Sequence, residues 1–333
     1  MSHLKPFTDE QTRALVNLQQ RYEVWADAGR SLAALPYDLR RKTVGEYGYL
    51  YEIHDRSGNG TPLGPWTEET EARLNEYRRT KAELKERRDK SRRALDETCA
   101  LCRALRVPMV ASAAGPILRE ADQRRLLGSH LLVVGTNAIP AYAVEAGGFI
   151  LDAPDETEDF DLAWSAMETT QEQTILRMLK AVDSTFTMNT ERTFQMRNAD
   201  AYEVEVLIAP SRASTFGRTD QPRPTPLPEQ EWLLRGQSVD RVVICRDGSP
   251  ARIAAPDPRW FALQKLWLSQ QPKRNPLKRP KDFKQGMALL NVVSIAMPQF
   301  PLDHVFESSL PHELLEPYRG WEKQRPHKSG QAW

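Results

Sequence analysis

Cysteine is scarce in this chain, three among 333 residues. Cys99 and Cys102 are spaced C-x-x-C, but they lie in a helical pattern with no second ligand pair nearby, and Cys245 is distant in sequence. Zinc and redox chemistry are therefore set aside, and so few thiols suit a reducing compartment. Long apolar runs are missing as well. Nothing approaches the ~18 residues of a membrane span, and Met1 to Arg30 lacks the apolar stretch of a signal peptide, so cytoplasmic residence is the expectation. Charge of one sign is also lacking: 46 Lys and Arg stand against 45 Asp and Glu, a formal net charge of +1. Any polyanion must then be held by local patches and not by a global field. What is present, 40% apolar and 27% charged residues, is an ordinary globular composition able to bury a core.

The most informative stretch runs from Leu131 to Leu162. Leu131-Leu132-Val133-Val134 is a short apolar run ending at Gly135, and Thr136-Asn137 open an alanine-rich helical pattern from Ala138 towards Ala146. The expected order is buried strand, tight glycine turn, helix. A helix start presents free backbone N–H groups and the positive end of its dipole, which makes Gly135, Thr136 and Asn137 candidates for holding a phosphate. Beyond the helix, Asp159-Phe160-Asp161-Leu162 sets two aspartates at i and i+2, on one face of a strand. Adjacent carboxylates repel. They persist at little cost on a wet surface or around a cation, and Mg²⁺ takes such oxygen ligands together with substrate phosphates. A lone Asp-x-Asp more often marks a solvated strand edge, so the pair gains weight only from its company.

A third carboxylate is supplied by Tyr202-Glu203-Val204-Glu205-Val206-Leu207-Ile208, where Glu205 stands between apolar neighbours and Glu203 shares its face. The Gly-Thr turn, Asp-x-Asp and Val-Glu-Val in this order resemble the polymerase-beta-type nucleotidyltransferase superfamily. Its motifs are hydrophobic-Gly-Gly/Ser, Asp-x-Asp and a later lone Asp or Glu. The chain is similar in particular to a bacterial branch carrying Gly-Thr-Asn-Ala, Asp-x-Asp-Leu and His-Lys-Leu segments. Thr136 stands where Gly or Ser is usual, Glu205 where Asp is commoner, and Gln264 where that branch has His. The resemblance implies an α+β fold, a nucleotidyltransferase-type mixed sheet with flanking helices, joined to a long N-terminal helix and a helical C-terminal part. It implies Asp159, Asp161 and Glu205 as catalytic carboxylates that hold Mg²⁺ or Mn²⁺, with an NTP as substrate. It also carries over Lys265, in Gln264-Lys265-Leu266, and Lys281, in Lys281-Asp282, as triphosphate contacts, a role that suits lysine.

The remaining chain reads as packing around that centre. Thr8 caps a helix to about residue 27 with Leu15, Leu18, Tyr22 and Trp25 on one stripe. Tyr47 to Ile53, followed by Ser57-Gly58-Asn59-Gly60, predicts a hairpin arm and its turn. A long helix is expected from Thr67 to about Arg106, acidic at its start and ended by Pro108. Its middle, between Arg78 and Arg93, has nine Lys or Arg against Glu83, Glu86 and Asp89, a local balance of +6. Arg87, Arg88 and Arg92 are the nucleic-acid contacts expected there, with a solvated charged face as the alternative. Gly115-Pro116 reads as a break before a helix from Ile117 to Leu127, and Gln171 to Val182 as a helix over the sheet. Thr193 to Arg197, a turn at Asn198-Ala199-Asp200 and the strand through Glu205 form an expected hairpin. Pro210 to Pro228 reads as a long surface loop. Val242 to Cys245 and Ala251 to Ala254 flank an Asp247-Gly248 hairpin turn. Two helices, Trp260 to Leu268 and from Pro280 through Val293, and a short helix before a loose tail complete the chain. The domain boundaries read from this are 1–110, 111–255 and 256–333.

These residues point to transfer of an NMP from an NTP to an acceptor hydroxyl. The basic helix favours RNA, of tRNA size, as acceptor. A protein side-chain hydroxyl is the alternative, as is a non-catalytic module that binds a nucleotide or a partner within a toxin–antitoxin pair. A nucleic-acid adaptor that uses only the basic helix would need no metal at all.

Overall fold

Along Glu203–Ile208, Val204, Val206 and Ile208 are buried while Glu203, Glu205 and Leu207 keep exposed surface, the period of two that a strand imposes. Asp159–Trp164 starts in the same way, with Phe160 and Leu162 buried while Asp159 and Asp161 keep exposed surface. Those two strands are neighbours in the computed structural model, which describes residues 3–154, 159–167, 174–216 and 222–325.

In chain order the elements begin with β1 (Leu4–Pro6), α1 (Asp9–Ala33), β2 (Asp38–Val44), β3 (Tyr47–Ile53), β4 (Gly60–Pro65) and α2 (Glu68–Ala104). Then follow β5 (Met109–Val110), α3 (Ala114–Gln123), β6 (Leu131–Val134), a 3-10 turn at Gly135–Ala138, α4 (Ile139–Glu145), β7 (Gly148–Ile150) and β8 (Asp159–Trp164). The rest comprises α5 (Thr174–Val182), β9 (Thr187–Met188), β10 (Gln195–Arg197), β11 (Glu203–Ile208), α6 (Gln230–Leu233), β12 (Val239–Cys245) and β13 (Pro250–Ala255). Four helices close the chain: α7 (Pro258–Gln270), α8 (Arg279–Ala296), α9 (His304–Ser308) and α10 (His312–Gln324). The fold is α+β, with a mixed sheet and flanking helices.

Residues form two compact units, Asn17–Ala100 on one hand and Met1–Val16 with Leu101–Trp333 on the other. In the larger unit the central sheet has the order β6-β8-β11-β10-β9, with β8 and β11 parallel and the other pairs antiparallel. A second sheet, β13-β12-β5, has the hairpin expected at Asp247-Gly248. One apolar core takes in all of β6, Phe160, Leu162, Val204 and Val206 from the central sheet, Phe261 of α7, Leu290 of α8 and Trp321 of α10. The stretch read as a separate C-terminal domain therefore shares its core with the sheet; Tyr142 of α4 donates its hydroxyl to the Pro256 carbonyl at 2.9 Å within that core.

Three local readings change. Gly115 and Pro116 do not break the chain but lie in the first turn of α3, where proline's missing N–H costs nothing. A Cβ at Gly115 would meet Cys245 Sγ at 2.5 Å, so this glycine serves close packing. The loop read over Pro210 to Pro228 contains a 3-10 turn at Pro210–Thr215, and Leu227 is tied back by its N–H to the Ile208 carbonyl at 2.9 Å. The helix read from Gln171 is described only from Thr174, and residues 326–333 of the expected tail lie outside the described residues.

In the smaller unit β2, β3 and β4 form an antiparallel meander, one strand more than the hairpin read from the sequence. Arg40-Arg41-Lys42 in β2 has no apolar alternation to announce it. Leu39 and Leu50 of this sheet pack with Leu74 and Tyr77 of α2. Between Tyr77 and Leu95 no residue of α2 is buried, in keeping with its charged seam. The three cysteines are buried thiols, and burial pushes the Cys102 thiol up to about 11. Among the described residues no helix is long and apolar enough to cross a membrane.

Candidate active site

Parallel pairing of β8 with β11 puts Asp159 beside Glu203 and Asp161 beside Glu205, and antiparallel pairing puts Gln195 of β10 beside Glu205. Side chains at paired positions leave from the same face. Asp159, Asp161, Glu203 and Glu205 thus crowd one face of the sheet while Phe160, Val204 and Val206 fill the other. Burial, then the charges of Asp159 and Glu205, push the Asp161 carboxyl up to about 7. Glu205 is likewise raised above the usual carboxylate range, by burial first and then by Asp159.

The two glutamates differ in their partners. Glu203 is paired with Arg197, and its Oε2 accepts from Gln195 Nε2 at 2.8 Å. Glu205 Oε1 accepts from the same amide nitrogen at 3.1 Å and lines a cavity of about 240 Å³ together with Gly135, Asp159 and Asp161. Asn189 donates to Gln195 Oε1 at 2.7 Å, which fixes the direction of that amide. Sequence reading passed over Gln195 because a glutamine in a short strand carries no chemical signature.

Gly135 reaches the cavity and the other two residues of its turn do not. Thr136 and Asn137 are buried; Asn137 Nδ2 donates to the Asp159 carbonyl at 3.0 Å, and Gln285 Nε2 donates to Thr136 Oγ1 at 3.3 Å. Their side chains hold the turn and the Asp159 strand in place. The phosphate contact expected at this turn rests on its backbone N–H groups, and these side-chain bonds do not bear on it.

Cations close the other side. Lys278 Nζ donates to Asp159 Oδ2 at 3.0 Å; burial works against its charge, but the Asp159 hydrogen bond and charge outweigh that and raise its pKa. Lys265 lines the cavity and is itself buried, with Nζ 2.9 Å from Asp282 Oδ1, while Arg274 Nε lies 2.7 Å from Asp282 Oδ2. Asp282, only 2% exposed, aims both cations. Lys281 does not line the cavity, and burial followed by Lys265 lowers its pKa. Lys278 and Arg274 line it, and Lys281 stays near enough to feel the charges of Lys265 and Asp159. All of them belong to one basic run, and only the phase of α8 and its preceding loop decides which points inward.

Asp159, Asp161 and Glu205 form an all-oxygen donor set in which Asp161 and Glu205 are held above the usual carboxylate range, and a hard divalent cation such as Mg²⁺ or Mn²⁺ would relieve the repulsion. The chemistry of the donors fits such an ion. Among the described residues no group of three or more acidic, histidine or cysteine side chains is placed to hold a metal ion as the side chains stand. The Lys278 ammonium supplies the positive charge at Asp159.

Comparison with known proteins bears on this geometry. Residues 112–311 match a family described as Nucleotidyltransferase, a span that includes both aspartates, Glu205 and every cation just named. The chain belongs to this nucleotidyltransferase family. Among solved structures it is similar to an antigenic nucleotidyltransferase-like protein from Paracoccidioides brasiliensis, at 16% identity over 65% of this chain and 91% of that one, with a TM-score of 0.37. No curated protein matches.

In this nucleotidyltransferase the smaller unit lies outside the matched span. Arg88 lines a groove there, whereas Arg92 pairs with Asp96 at 2.8 Å and stacks over the Trp25 ring at 5.4 Å. Arg87 is exposed and does not line the groove. Of the three arginines named from the sequence, only Arg88 lines this groove.

Proposed function

We propose that this nucleotidyltransferase works with a polymerase-beta-type site, moving an NMP from an NTP to an acceptor hydroxyl. The acceptor oxygen gives up its proton to solvent and attacks the α-phosphorus, the bond from the α-phosphorus to the bridging oxygen of the β-phosphate breaks, and pyrophosphate leaves with the electron pair. The observation that carries this reading is the face shared by Asp159, Asp161 and Glu205, with Lys278 and Arg274 lining the same cavity. Carboxylates on one side and cations on the other are what a triphosphate needs, since phosphoryl transfer is chiefly positioning and charge neutralisation.

Asp159, Asp161 and Glu205 would hold Mg²⁺ or Mn²⁺. When bound, such an ion neutralises charge on the phosphates and makes an acceptor hydroxyl easier to deprotonate. Lys278 and Arg274 bind triphosphate oxygens, and Lys265, fixed on Asp282, adds its charge behind them. Gln195 orients Glu205 towards the acceptor side. Gly135 leaves room for the Asp161 carboxylate. Asn137 holds the Asp159 backbone.

RNA of tRNA size is the favoured acceptor, supported by the cations of the smaller unit, and a protein hydroxyl is the alternative. The test incubates purified protein with each α-labelled NTP, Mg²⁺ or Mn²⁺, and either total RNA or lysate protein. Label should appear in RNA and should be missing with Asp159→Asn. Label in neither fraction under any NTP and metal would overturn the enzymatic reading in favour of a non-catalytic nucleotide-binding module.

A further inference from the structure

The smaller unit contains a feature that nucleotidyl transfer leaves unused. Arg78, Lys81, Lys85 and Arg88 follow one another at steps of three, four and three along α2, which puts them on one face of the helix. Arg40 of β2 and Arg56, beyond the end of β3, join them around an open groove of about 1080 Å³. Among the described residues Asp38 is the single acidic one lining it, against these six cations.

Part of that charge is already committed. Arg40 Nε pairs with Asp38 at 2.6 Å, Arg88 with Asp89 at 2.9 Å, and Lys81 Nζ donates to the Tyr77 hydroxyl at 2.6 Å. Among the described residues Arg56, Arg78 and Lys85 have no acidic partner. A folded surface that keeps three such cations around one concavity carries uncompensated positive charge, to which a phosphate backbone is complementary. The helix stripe spans ~15 Å at 1.5 Å per residue, the length of about four nucleotides of one stacked strand.

A ring lies in the same groove. Tyr37 is 47% exposed, while the Tyr77 hydroxyl donates to the Pro36 carbonyl at 3.0 Å and holds the Tyr37 segment against α2. The Lys81 ammonium stands 5.9 Å from the centre of the Tyr37 ring. An exposed tyrosine face beside cations is the surface on which an unpaired base stacks while its phosphates are neutralised. A duplex hides its base faces and offers only the phosphates.

We propose that this groove binds single-stranded RNA, with Arg56, Arg78 and Lys85 on the phosphates and the Tyr37 ring stacking on a base. This deepens the acceptor part of the proposed function, but the binding itself requires neither nucleotide nor metal. The site extends to β2 and to Arg56, outside the helix on which the sequence suggested RNA contacts, and excludes Arg87 and Arg92.

The test measures anisotropy of a short fluorescent single-stranded oligoribonucleotide with the full chain, in EDTA and without NTP, over a salt series. Arg78→Gln with Lys85→Gln should weaken binding and flatten the log–log salt slope by about 1.4, at about 0.7 per phosphate contact on a single strand. Tyr37→Ala should cost about tenfold in affinity and Tyr37→Phe nearly nothing, because the ring and not the hydroxyl stacks. Arg87→Gln with Arg92→Gln should leave the slope unchanged. Thermal melts matching the parent confirm that the exposed substitutions leave the fold alone. Equal affinity for single strand, duplex and heparin, or a Tyr37→Ala variant that binds as the parent does, would overturn the proposal. Asp161→Asn separates the two readings: it should bind RNA normally while failing in transfer. Transfer to RNA that survives the groove substitutions with unchanged binding would sink the groove and leave the catalytic reading standing.

Discussion

A Cβ at Gly135 would stand 2.3 Å from Asp161 Oδ2, so the glycine's missing side chain is the space the carboxylate occupies. Gly135 also has φ +69°, a region that side-chain-bearing residues seldom adopt. Gly135→Ala should then act twice. Strain and collision should lower stability by about 1–2 kcal/mol in denaturant titration. Displacing Asp161 by ~1 Å should cost about 100-fold in the labelled-NTP transfer assay. An alanine variant with parental transfer would show that Asp161 does not depend on this space.

Asp161 gives a pH-dependent signature without any substrate. Its carboxyl lies at about 7 in the folded chain, against an ordinary value of 3.8. Between those values the folded state holds the proton more tightly than the unfolded chain. This contribution to stability is therefore complete below the unfolded value and lost as pH rises through about 7. Asp161→Asn removes the ionisation. In EDTA its melting temperature should exceed the parent's at about pH 8, and the gap should close towards about pH 4. A constant gap across that range would refute the raised carboxyl. The same variant should abolish transfer.

Glu205 and Glu203 can be told apart by substitution. Glu205 lines the cavity, while Glu203 is paired with Arg197 and outside it. Glu205→Gln should slow transfer strongly with little change in NTP binding, and Glu203→Gln should be mild. Glu205→Asp keeps the charge but withdraws it by one methylene, for a loss of about 100-fold. If Glu203→Gln were the dead variant and Glu205→Gln active, the catalytic pairing would be Asp159 with Glu203.

Lys278 occupies the position that a metal's charge would claim at Asp159. Lys278→Gln should raise Mg²⁺ affinity in the absence of nucleotide, measured by calorimetry, because a competing cation is gone. It should also raise KM for NTP, because a triphosphate contact is gone. Both changes in the same direction, tighter metal and tighter NTP or neither affected, would argue against the double role.

Asp282 tests the support behind the site. It holds Lys265 and Arg274 at 2.9 and 2.7 Å from a buried position. Asp282→Ala leaves the buried Lys265 and the half-buried Arg274 without their counter-charge, and breaking a buried pair costs about 3–5 kcal/mol. Equilibrium unfolding should read that loss, and NTP affinity should fall with it. A cost within the ~0.5 kcal/mol of a surface substitution would mean the pair is not structural.

Local periodicity was legible in the residues alone. The strand at Leu131–Val134, the turn at Gly135, the long helix from Glu68 and the hairpin around Asp247-Gly248 follow from spacing, caps and turn residues, while the α+β class rests on the family resemblance. Backbone sterics set those patterns, and each is written in residues close together in the chain. The two aspartates and Glu205 could be named for the same reason, since each sits in its own strand pattern. Tertiary structure alone decided the rest. β2 is a strand only because β3 accepts Arg40-Arg41-Lys42 alongside it, and Gln195 matters only because pairing sets it beside Glu205. Lys278 meets Asp159 across 119 residues of sequence, while Lys281, three positions further on, does not line the cavity. Which member of a basic run faces a carboxylate depends on how α8 is rotated as its apolar side packs into the common core. That rotation is fixed by the burial of many distant side chains together, a quantity that no single segment of the chain contains.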